Sequence, residues 1–230
     1  MGLLDTILGR SKPVRANLDA LFALPTAAVT LQTTSGLVTS GHAGVCFKPP
    51  AGQSFEDVQT ELEQVLRTGD DTGAPAVRHV GDRFGYRWIL IDAPGIDDLV
   101  TRVHVVHSSL EEAGWSTQLL CSVFGFDPSG GDDLADAVSR PLYLVYLAKR
   151  GTFYPFAPSG GEQRDSELEL RIRGLLGTDL PVEQDLSRWF PLWDLPLAGS
   201  TPPPTAQPTT TPPTTTPPTT TPPTTTPPTT

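Results

Sequence analysis

The chain has 230 residues, and the stretch 201–230 alone holds 12 of its 25 prolines, so about 200 residues remain to fold, enough for one domain. Sixteen basic against 26 acidic residues give a formal charge of −10, which argues against a nucleic-acid binder, because such proteins need a basic stripe to displace counterions. Apolar residues make up 37% of the chain and its 21 glycines follow no G-X-Y period, which excludes disorder throughout and a collagen.

In chain order, residues 3–9 and 15–24 read as two short helices, and 27–34 and 44–48 as β-leaning runs. Ser54 opens a helix to about Arg67: Asp57 stands at capping-box spacing, and Phe55, Val58, Leu62, Val65 and Leu66 form one apolar stripe. Residues 77–80 and 86–91 flank the turn-forming stretch 81–85 and predict a hairpin. Asp97 can cap a helix to Ala113, with Leu99, Val103, Val106 and Leu110 on one face and Gly114 as its stop. Residues 118–126 and 142–149 are aromatic and aliphatic strands separated by a Gly/Asp-rich insertion, 127–139. The second turns at Arg150-Gly151 into 152–156, where Pro155 marks an edge strand. A last helix over 165–176 carries Leu168, Ile172, Leu175 and Leu176 on one face and stops at Gly177. TTTPP then repeats four times from Thr209 to Pro228, a density of proline that predicts a disordered spacer. The expected fold is a single α+β domain over residues 1–200, a largely antiparallel sheet with helices packed on one face, followed by a disordered Thr/Pro tail.

Motifs that carry chemistry are sparse. Neither GxxxxGK[ST] nor GxGxxG is present to cradle phosphate, and GxSxG is missing, so no cofactor and no activated serine are expected. On the helix ending at Ala113, His104, His107 and Glu111 project within one sector and could converge on a metal ion. HExxH is absent, and a packing histidine is the commoner use of His107 beside an apolar stripe. Asp92, Asp97 and Asp98 flank Pro94-Gly95, where carboxylates complement a helix start. Cys46 and Cys121 form no CxxC and each lies in an apolar strand, which reads as buried reduced thiols and no catalyst.

No run reaches the roughly 18 apolar residues that span a membrane, and the N-terminal charge follows the apolar stretch, whereas a signal peptide places it before; the protein reads as cytoplasmic. The opening matches M-G-x-x-x-[ST] at Gly2 and Thr6, a loose myristoylation pattern. Leu3, Leu4, Ile7 and Leu8, followed by Arg10, Lys12 and Arg15, could graze an anionic surface or pack on the domain itself. At the far end, Trp189, Phe190 and Trp193 beside Arg188 have the composition of a binding hot spot, or else close the core over the sheet.

Four stretches, MGLLDTILGRSKPVRANLDALFALPTAAVTLQ, SSLEEAGWSTQLLCSVFGF, LVYLAKRGTFYPFAP and LPVEQDLSRWFPLW, resemble the phage-shock-protein-A-associated family PspAB of actinobacteria and related bacteria, over about residues 1–195. The resemblance implies a non-enzymatic cytoplasmic accessory protein that binds PspA, the coiled-coil protein of the envelope stress response, with indirect membrane association through that partner. It brings no catalytic residue. The partner surface is expected at the sheet edge around Arg150, Phe153, Tyr154 and Phe156 or at the aromatic segment Trp189, Phe190 and Trp193. Two alternatives come from other classes, a small metal-dependent hydrolase built on His104, His107 and Glu111, and a secretion-chaperone-like module that holds peptides.

Overall fold

The computed structural model describes residues 18–48, 59–60, 77–129, 138–193 and 195–197. The N-terminal helix, the Thr/Pro tail, most of the 54–67 helix and most of the 127–139 insertion lie outside the described residues, although Gln59 and Thr60 are helical.

Residues 27–34, expected as a strand, belong to a helix instead. A 3-10 turn over Leu18–Ala23 leads into α1, Leu24–Ser35, with Pro25 in its first turn and Gly36 in the left-handed region (φ 65°) as its cap. Leu24, Ala27 and Leu31 are buried at helical spacing, so the apolar period outweighs the β-branched Val29, Thr30, Thr33 and Thr34. The Thr33 hydroxyl donates to the Val29 carbonyl at 2.9 Å and that of Thr34 to the Thr30 carbonyl at 2.5 Å, a bonding that lets threonine sit on a helix.

Eight strands follow among the described residues. β1 (Leu37–Phe47), β2 (Val77–Gly81), β3 (Arg87–Asp92), β4 (Leu119–Pro128), β5 (Leu142–Leu147) and β6 (Thr152–Phe156) form one antiparallel sheet in the order β2-β3-β1-β4-β5-β6. β7 (Pro158–Gly160) and β8 (Gln163–Arg164) make a small separate ribbon. β1 is twice as long as its expected half because an irregularity between Thr39 and Ala43, with Gly41 at φ 79°, breaks the alternation that would mark it. α2, Ile96–Glu112, carries the chain from β3 to β4 past the intervening β1, a split βαβ unit. Its cap is Gly95; Asp97 and Asp98 sit in its first turn, and Asp92 ends β3, paired with His42 at 2.7 Å and Arg78 at 3.3 Å. α3, Ser166–Leu176, starts as expected, with the Asp165 carboxylate accepting from the Leu168 N–H at 3.0 Å.

The sheet has two differently dressed faces. α1 and α2 cover one, where Val45, Phe47, Ile89, Phe124, Tyr146 and Phe153 meet Leu99, Val103, Val106 and Leu110 in the core. α3 lies beside β6 and reaches α1, where the Thr30 hydroxyl donates to Asp179 at 2.6 Å. The opposite face carries the alternate residues, Cys46, Trp88, Cys121 and Tyr154 among them, and is crossed by the C-terminal segment that follows a 3-10 turn at Leu186–Arg188.

Candidate functional site

That second face holds a cavity of about 470 Å³ among the described residues. Five strands supply its floor: Cys46 from β1, Trp88 from β3, Cys121 from β4, Leu147 from β5 and Tyr154 from β6. Its roof is the C-terminal strap, Phe190 to Trp193 with Leu195. The β2–β3 hairpin loop makes the remaining wall. There Asp82 accepts the N–H groups of Phe84 and Tyr86, both at 2.9 Å, and the Trp88 indole N–H at 3.1 Å, so one carboxylate fixes the loop and one floor residue together. Phe84 and Phe190 both line the cavity and are left 60% and 63% exposed.

The strap is held by five contacts. Tyr154 donates its hydroxyl proton to the Phe190 carbonyl at 2.8 Å, and the Trp189 ring stacks on the Tyr154 ring at 5.9 Å. The Trp189 indole donates to the Glu183 carbonyl at 3.1 Å. Trp193 meets Phe156 edge-on at 5.4 Å. Arg164 donates to the Trp189 carbonyl at 2.7 Å while its Nε pairs with the buried Glu169 at 2.8 Å, so α3 is joined to the strap through one guanidinium. Burial pushes the Glu169 carboxyl up, against the opposing pull of the Ala157 N–H and Arg164.

Within the cavity, Cys46 and Tyr154 are held neutral. The Cys46 thiol is pushed far above the thiol range, first by its hydrogen bond with Cys121 and then by burial. Tyr154 is raised chiefly by burial. Such a site offers apolar surface and aromatic edges to a ligand.

The structure sorts the expected partner residues into two groups. Phe153 is buried on the helix face against Tyr146, ring centroids 4.9 Å apart, and Arg150 is paired with Glu183. The β6 edge is already occupied: Phe153 accepts from the Glu183 N–H at 2.7 Å and donates to the Pro181 carbonyl at 2.9 Å, Pro155 has no N–H, and Ala157 bonds Glu169 and Asp165. A peptide therefore finds no free ladder there. Tyr154, Phe156, Trp189, Phe190 and Trp193 all gather on the second face, Phe156 and Trp189 as supports of the strap and the others on the cavity wall.

His104, His107 and Glu111 lie along α2 as their spacing requires, but the histidines serve different partners. His107 is buried with Nε2 2.6 Å from the Ser122 hydroxyl, while His104 packs against the Phe22 ring at 5.3 Å. Burial, with a smaller contribution from His104, pushes His107 down to about 3. Among the described residues no three His, Cys, Asp or Glu side chains are grouped to hold a metal ion. Sequence reading did not reach the cavity's floor, because Cys46 and Cys121 become neighbours only when β1 and β4 pair, and Phe84 gains its position only from the loop that Asp82 builds.

The described residues form an α+β domain with one helix-covered sheet face and one strapped face enclosing an apolar, aromatic-rimmed cavity. The family model for PspA associated protein B, PspAB, matches residues 1–197, and the chain belongs to that family. No match was found among curated proteins or among solved structures.

Proposed function

We propose that this protein is a non-enzymatic accessory factor of PspA that binds its partner through the cavity on the second sheet face. The partner would place one or two apolar side chains between Phe84 and Phe190, against Trp88, Tyr154 and Trp193. The observation that carries this reading is that two largely exposed aromatic rings, Phe84 and Phe190, line one apolar cavity, the composition of a binding hot spot. Membership of a PspA-associated family supports PspA as the partner, and the apolar helix face of a coiled-coil partner would offer such side chains. Attachment to the membrane would then be indirect, on its cytoplasmic side: no helix among the described residues is long and apolar enough to cross it. Co-purification of the full chain with PspA from one host tests the pairing. Recovery in a fixed ratio supports the reading, and separation of the two proteins at moderate salt and micromolar concentration contradicts it.

A further inference from the structure

β1 and β4 place Cys46 directly opposite Cys121 in their antiparallel register. Opposed residues of such a ladder have Cα atoms about 4.5 or 5.5 Å apart, and both separations lie inside the roughly 4.4–6.8 Å that a disulfide spans. Both side chains leave the sheet on the same face, both thiols are free, and both line the cavity. The neighbouring Cys121, together with burial, pushes the Cys46 thiol up. Cys46 is 4% and Cys121 7% exposed, and both border the cavity under the strap.

We propose that Cys46 and Cys121 are a reversible dithiol–disulfide modification site whose oxidant is a small apolar hydroperoxide admitted by the cavity. The walls select that class: Trp88, Leu120, Tyr154 and Trp193 are apolar or aromatic, and the one wall carboxylate, Asp82, is engaged by three N–H donors. Cys121, the more exposed of the pair, attacks first: its sulfur takes the terminal peroxide oxygen, the O–O bond breaks, the alcohol leaves with the transferred proton, and a sulfenic acid remains. Cys46 then attacks that sulfur, the S–S bond forms, and the hydroxyl leaves with the Cys46 proton as water. Two thiols lose two electrons and two protons, and the hydroperoxide becomes one alcohol and one water. The product locks β1 to β4 beneath the strap. It stands independently of PspA binding.

Reduced full-length protein treated with cumene hydroperoxide tests the site. The intact mass is expected to fall by two hydrogens, a non-reducing digest to contain the Cys46–Cys121 linked peptide, and dithiothreitol to restore both thiols. In Cys46→Ser the reaction is expected to stop at a Cys121 sulfenic acid that dimedone traps. Two thiols still titrating after unfolding, sulfinic acids or intermolecular links in place of the internal one, or a disulfide formed by diamide but not by the hydroperoxide, would each overturn the proposal.

Discussion

The Tyr154 hydroxyl donates to the Phe190 carbonyl oxygen at 2.8 Å, so a residue of the sheet floor fixes a residue of the strap that roofs it. Tyr154→Phe keeps the stacking on Trp189 and removes that bond. The expected cost is about 1 kcal/mol in chemical denaturation, with faster hydrogen exchange at amides 188–193. Unchanged exchange there would show that the strap is held by packing alone.

Glu169 and Arg164 make the second tie between strap and domain. Glu169→Ala removes the acceptor of the Ala157 N–H and leaves the Arg164 guanidinium without its carboxylate. Breaking a buried pair from one side costs roughly 3 kcal/mol. A lower urea midpoint at unchanged slope is the expected reading, whereas Leu170→Ala on the exposed side of α3 changes stability by about 0.5 kcal/mol or less.

His107 makes stability depend on pH. Its ordinary value is 6.5, and burial lowers it to about 3 in the folded chain. The unfolded chain therefore takes up a proton that the folded chain refuses, so this contribution is present above pH 6.5 and is lost as pH falls toward 3. On the order of a few kcal/mol is at stake. Urea denaturation at pH 7 and pH 4.5 is expected to show a smaller loss for His107→Gln than for the parent, and an equal loss in both would remove His107 as the cause.

Periodic elements were the legible ones. α2 and α3, with Leu99, Val103 and Leu110 or Leu168, Ile172 and Leu176 repeating along one side, emerge within a residue or so of their expected limits, as do β3 and β6, and β5 ends two residues before its expected limit. α1 was not, because threonines favour strands on average and only the burial of Ala27 and Leu31 reveals the helical period. The aromatic segment at Trp189 to Trp193 offered two readings from composition, a hot spot or a lid. The structure divides it, with Trp189 as 6% exposed packing and Phe190 turned outward. The cavity depends on strand register, which no local window of sequence contains.

The most direct test of PspA binding at this cavity is the affinity of purified full-length protein for PspA, measured for the parent, Phe84→Ala, Phe190→Ala and, as a control on the opposite side of the sheet, the exposed Phe22→Ala. All three rings are largely exposed, so folding is expected to persist. The account predicts that Phe84→Ala and Phe190→Ala each weaken binding about tenfold or more and that Phe22→Ala leaves it unchanged. Equal affinity for all four proteins, or loss only in Phe22→Ala, would contradict it.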